Sequence, residues 1–203
     1  MGTPTVTNII TGGAWLYYAP VGEALPDETS VDLGDAWGGN WARVGFTKAP
    51  LTAAYEVEEM DVEVEEFIGP LKRIKTKEGF MLETTLAELT SEYLALIFSS
   101  TASTTAAGAS QRGFDEVSVG GEVFTDEYVW GAEGAYIDAA GTKFPVRLFI
   151  WKATAVMNGS LTFSKRNGEY PGIPIQIKAL VDPSQAEGEN LFKFQRVTAE
   201  ATS

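Results

Sequence analysis

Apolar and polar residues alternate with period two along much of this chain, the signature of strands with one buried face. In 60–65, Met60, Val62 and Val64 fall on one face and Asp61, Glu63 and Glu65 on the other. Just upstream the phase is opposite, with Tyr55 and Val57 at odd positions, and the slip at Glu58-Glu59 predicts a β-bulge that bends or twists the strand. Residues 173–181 alternate without a break, Ile173, Ile175, Ile177, Ala179 and Val181 against Pro174, Gln176, Lys178 and Leu180. Pro174 has no N–H to give a ladder, which predicts an edge position or a bulge. The stretch 144–156 is apolar on both faces, Val146, Leu148 and Ile150 on one and Phe149, Trp151 and Ala153 on the other. Such a strand must be covered twice, by its own domain or by another copy. Further strands are expected around Trp15-Leu16-Tyr17-Tyr18, in 41–47, at two places in 117–130 and across 191–198.

A single helix interrupts this pattern. Thr85-Leu86-Ala87-Glu88 has capping-box spacing, and Leu86, Leu89, Tyr93, Leu96 and Ile97 follow at helical intervals, an apolar stripe for a sheet. Asn158-Gly159 is the strongest hairpin signal, with a return through Leu161 and Phe163, and Asn167-Gly168 turns again. Glycine, proline and aspartate mark 21–39 as loop, and 131–141 reads as a Gly- and Ala-rich connection. Residues 99–111 shrink to little beyond Ser, Thr, Ala and Gly, the composition of an exposed connection. The expected fold is mainly β: a β-sandwich or partly open barrel with one α-helix packed on it. One domain spans 1–203, with a hairpin arm at 55–86 and a low-complexity loop at 99–112.

Charge singles out that arm. Residues 55–66 hold seven acids, Glu56, Glu58, Glu59, Asp61, Glu63, Glu65 and Glu66, and the run after the Phe67-Ile68-Gly69-Pro70 turn holds Lys72, Arg73, Lys75 and Lys77. Opposite charges facing across an antiparallel pair contribute roughly 0.2–1 kcal/mol each. The whole chain carries a formal charge of −13, which repels phosphate rather than gripping it, though it can surround nucleic acid without adhering.

Several chemistries are excluded or disfavoured. Without cysteine there are no disulfides or thiolate metal sites, and without histidine there is no Ser-His-Asp triad, His-ligated zinc or imidazole proton shuttle. No apolar run is long enough for a membrane span, and Met1-Gly2-Thr3-Pro4 predicts neither signal peptide nor myristoylation. Carboxylates alternating on a strand spread along an edge instead of converging on a cation, and 56–66 lacks the turn glycine of an EF-hand loop. Nothing marks two acids in a cleft as a glycosidase pair. Trp15, Trp37, Trp41, Trp130 and Trp151 are scattered, so core and interface burial is favoured over a sugar platform. The four cations lack interleaved aromatics and face an acidic strand, as charge-complementary pairs do and a nucleic-acid stripe does not. No enzyme, cofactor or metal site is predicted.

Three places in the chain resemble the major tail tube proteins of long-tailed bacteriophages. Gly12-Gly13-Ala14-Trp15-Leu16-Tyr17-Tyr18-Ala19-Pro20-Val21-Gly22, then Leu25-Pro26 and Trp41-Ala42-Arg43-Val44-Gly45, is similar to that family's opening. The charged hairpin followed by Thr84-Thr85-Leu86-Ala87-Glu88-Leu89 is similar to its passage from hairpin to helix. Gly172-Ile173-Pro174-Ile175-Gln176-Ile177-Lys178-Ala179-Leu180 with Asp182-Pro183 is similar to its closing segment. The resemblance implies homohexameric rings that stack into a tube, inner strands joining as one inter-subunit β-barrel around a channel through which DNA passes without specific binding. It implies a virion protein assembled in the host cytoplasm, with the tape measure protein, tail terminator and baseplate components as partners. Glu59, Asp61, Glu63, Glu65, Glu66, Lys72, Arg73, Lys75 and Lys77 would then make inter-ring or inter-subunit contacts. Glu56, Glu58, Glu83 and Glu88, and also Glu63 and Glu65, would be candidates to face the channel. The alternatives are a tail-terminator or baseplate ring protein, a carbohydrate-binding β-sandwich, and, with least support, an acidic hydrolase.

Overall fold

A computed structural model describes residues 10–138, 140–161 and 172–199. Alternation dominates it. The chain is mainly β, with strands β1 (Ile10–Pro20), β2 (Ala42–Val44), β3 (Thr52–Val62) and β4 (Lys72–Leu86), then the helix α1 (Ser91–Phe98). There follow β5 (Ala102–Thr105), β6 (Phe114–Val117), β7 (Glu127–Ile137), β8 (Lys143–Met157), β9 (Ile173–Ala179) and β10 (Phe192–Arg196). One antiparallel sheet has the order β2-β1-β7-β8-β9-β4-β3, with β10 beside β8, while β5 and β6 pair separately.

The two ends of this sheet meet. After leaving β1, the chain beyond β2 runs onto β4: Lys48 N donates to Thr85 O at 2.7 Å, Ala87 N donates to Phe46 O at 2.7 Å, and Thr47 bridges Leu86. Residues 42–62 thus act as one bent strand that pairs with β1 at its start and β4 afterwards, and the sheet curls into a partly closed barrel. Its interior is continuous: Leu16, Val44, Leu82, Leu86, Trp130, Ile150, Ile173, Ile175 and Ile177 belong to one buried cluster. Leu96 and Ile97 of α1 join it. The doubly apolar β8 is covered twice by its own chain, because Ile150 faces that interior while Phe149 packs outside against Tyr17 and Trp37.

The helix begins later than the capping-box spacing predicts. Thr85 and Leu86 finish β4, and the cap is Thr90, whose side chain accepts from Tyr93 N at 3.2 Å. Strand alternation wins over Thr-x-x-Glu because Leu82, Thr84 and Leu86 are all buried on one face. Residues 131–137 are strand and not connection. Gly131 is required there because a Cβ would run into the Trp37 ring. The low-complexity stretch 99–112 contains β5, and only its exposure matches the expectation. Of the two short strands expected in 117–130, the first is absent, since β6 ends at Val117 and 118–126 is not strand, and the second is the start of the long β7.

Pro174 is not on an edge, since β9 lies between β8 and β4. Its carbonyl accepts from Asn158 N, so its nitrogen also points toward β8, at the place where β8 has ended and no donor is needed. The turn at Asn158-Gly159 holds Gly159 at φ +135. The return through Phe163 and the Asn167-Gly168 turn lie outside the described residues.

Candidate assembly surfaces

The charged hairpin is the pairing of β3 with β4, and its register breaks between Glu58 and Glu59, where the bulge is expected. The extra residue belongs to the opposite strand: Glu58 faces Lys77 and Glu59 faces Lys75, leaving Thr76 over. The Thr76 hydroxyl donates to Glu58 O at 3.1 Å, which stitches the bulge. β3 stops at Val62, so Glu63, Glu65 and Glu66 sit in the tip and do not continue the strand alternation. The part of β4 from Phe80 to Leu86 belongs to the barrel, alternately buried, while every residue from Lys72 to Glu78 is exposed. The free arm is therefore shorter than 55–86.

Within that arm three of the four cations are answered internally. Lys77 Nζ meets Glu58 Oε1 at 2.8 Å and Arg73 Nε meets Asp61 Oδ1 at 2.9 Å, both between facing residues. Lys75 turns from its facing Glu59 to Glu78 Oε1 at 2.7 Å and to the Tyr55 hydroxyl at 3.2 Å. These hydrogen bonds hold the Lys75 and Lys77 ammoniums above the usual lysine range, and Lys75 holds the Glu78 carboxyl below its own. Glu56, Glu59, Glu63, Glu65, Glu66 and Lys72 carry no ion pair among the described residues. Of the nine proposed contact residues, four are thus spent on intramolecular pairs and five remain available.

Two other candidate channel acids are also engaged. The Glu83 carboxylate accepts from Asn158 Nδ2 at 3.0 Å and from Gln176 Nε2, and Glu88 Oε1 accepts from Phe46 N at 3.2 Å where the barrel closes. Glu56 stays exposed opposite Gly79. No group of three or more acids is arranged for a metal ion among the described residues.

The exposed apolar residues of the arm are less expected. Tyr55, Met60, Val64, Phe67, Ile68, Leu71 and Ile74 are all exposed, Ile68 completely. A second exposed apolar group, Phe114, Val119, Val123 and Phe124, lies on β6 and the loop after it. Beside that loop is a surface trough of about 690 Å³ lined by Val21, Val123, Phe124, Asp126 and Leu180. Trp37 and Trp130 are buried, and Trp15, Trp41 and Trp151 are half-buried.

One polar constellation escaped sequence reasoning. Glu133 and Arg147, on neighbouring strands, form a fully buried pair at 3.0 Å. Glu133 Oε2 accepts from Gly34 N at 2.9 Å, and Arg147 Nη2 donates to Val31 O at 2.6 Å. The pair thereby pins residues 31–34 to the barrel wall, beside Trp37 stacked on Tyr17 at 4.0 Å. The signal available was a single arginine inside the otherwise apolar run 144–151.

No helix among the described residues is long and apolar enough to cross a membrane. No protein-family model matches the chain, and no curated protein matches it.

Proposed function

We propose that this protein is a structural subunit that assembles with copies of itself, as the major tail tube subunit of a long-tailed bacteriophage. Its homohexameric rings stack around a channel for DNA within the virion, and its partners are the tape measure protein, the tail terminator and the baseplate. The observation that carries this reading is the arm. A lone two-stranded hairpin exposed on both faces has little stability of its own, and seven large apolar side chains on it are uncovered. Large apolar side chains left exposed on one projecting element mark an interaction site. The net charge of −13 supports a bore that lets phosphates slide. The resemblance in the three segments named above supplies the choice of assembly.

Electron microscopy of the purified protein tests the proposal. Long tubes are expected. Isolated rings that never stack favour the tail-terminator or baseplate alternative, and monomers at high concentration overturn self-assembly. Reversing Lys72, Arg73, Lys75 and Lys77 to Glu removes all three internal ion pairs and adds repulsion. It is expected to abolish stacking while circular dichroism still reports a β fold, and unchanged tubes would defeat the arm's stacking role.

A further inference from the structure

The arm projects away from a single row of paired residues, and the trough is set on that row. Strand register aligns Ala54, Met81, Lys178, Thr154 and Glu127 across the sheet. From that row the arm runs from Met81 toward Lys72, the direction in which β8 runs back toward Lys143. Glu127 and Thr154 of the row line the trough together with Val21, Val123, Phe124 and Leu180. A projecting apolar knob and an apolar concavity are thus offset along the strand direction of the same molecule.

We propose that the arm tip of one copy, Phe67, Ile68 and Leu71, seats in the Val21–Val123–Phe124 trough of the next copy. This rests on the self-assembly reading above and names the surface on which the arm lands. A second copy is the occupant because the two patches match in more than hydrophobicity. Lys72, next to Leu71, is the arm's one cation without an ion pair among the described residues, and Glu122 and Asp126 beside the trough are carboxylates without one. Lys72 therefore faces the trough, and Glu63, Glu65 and Glu66 stay turned to solvent, away from those acids. The contact is heterologous, knob to hole, so it propagates from copy to copy instead of closing a pair.

The chain has no cysteine, so engineered thiols report without background. Ile68→Cys and Val123→Cys each replace an exposed side chain, which leaves the core untouched. The two single variants are mixed, oxidised with copper phenanthroline and run on a non-reducing gel, with micrographs of the same samples. A dimer band in the mixture that is at least tenfold stronger than in either variant alone supports the proposal. A dimer from Ile68→Cys alone shows tip meeting tip and overturns it. Tubes in the micrographs with no mixed dimer overturn the landing site and leave the self-assembly reading standing. Neither dimer nor assembly overturns both.

Discussion

Two arginine–carboxylate pairs of nearly equal length sit at opposite extremes of this molecule. Arg147 and Glu133 meet at 3.0 Å with both side chains fully buried, whereas Arg73 and Asp61 meet at 2.9 Å with side chains 64% and 39% exposed. The buried pair could not survive on Coulomb attraction alone, since stripping water from two ions costs several kcal/mol each. It survives because Gly34 N and Val31 O add two hydrogen bonds and the guanidinium lies over the Trp37 ring at 5.9 Å, although Arg147 Nη1 has no hydrogen-bond partner; the pair and the loop at 31–34 hold each other. The arm pair keeps most of its hydration and competes with water and salt for every contact. Geometry is the same in both; the surroundings decide what each is worth.

The largest way to break that comparison is Arg147→Met. It leaves Glu133 as an uncompensated buried charge, and chemical denaturation is expected to show a loss of about 3–5 kcal/mol. Adding Glu133→Leu should restore only part of that loss, because Gly34 N and Val31 O still lack partners. Full recovery would show that the loop needs no polar anchor.

Asp182 offers an intermediate case, a buried carboxylate satisfied without a cation. It accepts from Ser184 N at 2.9 Å and Ser184 Oγ at 2.7 Å, and the Ser184 amide, as the leading cause, holds its carboxyl below the usual aspartate range. A carboxyl with a depressed folded value stabilises fully above its unfolded value and loses that stabilisation as pH falls through the folded one. Asp182→Ala should therefore cost about 1–2 kcal/mol near neutrality. Thermal melts of the two proteins should converge as pH drops below about 4. A gap that persists unchanged in acid would mean packing, not charge, holds that turn.

The smallest effect belongs to the arm. Arg73→Ala should change the stability of the isolated chain by less than about 1 kcal/mol, and by less still in high salt. A loss as large as that of Arg147→Met would mean the arm is part of the cooperative fold and not an appendage.

What was readable in the sequence follows the same division. The arm's pairing, most of its facing charges and its bulge are local patterns that the structure repeats, but the extra residue is Thr76, the alternation stops at Val62, and Lys75 leaves its facing Glu59 for Glu78. The Ile173–Ala179 strand was legible for the same reason. Thr85-Leu86-Ala87-Glu88 misled because a capping box and a strand end share residue types, and the competing signal was Phe80, Leu82 and Leu86 at even spacing. Gly131 read as loop because the reason for a glycine there, the Trp37 ring, is far away in sequence. Glu133 with Arg147 was illegible on similar grounds: each charge makes sense only beside the other. The arm's uncovered apolar side was visible as Met60, Val62 and Val64 but was not separable from ordinary core until burial was known.

The pairing of β1 with β7 bears on how this polypeptide is made. Val31 and Arg147 are 116 positions apart, and β1 has only the three residues of β2 for company until β7 has been synthesised. A ribosome adding residues at roughly 5–20 per second leaves that N-terminal strand waiting for several seconds. Closure of the barrel is consequently a late event, and a nascent chain stopped before Lys143 would display an open, sticky sheet edge to whatever chaperone reaches it first.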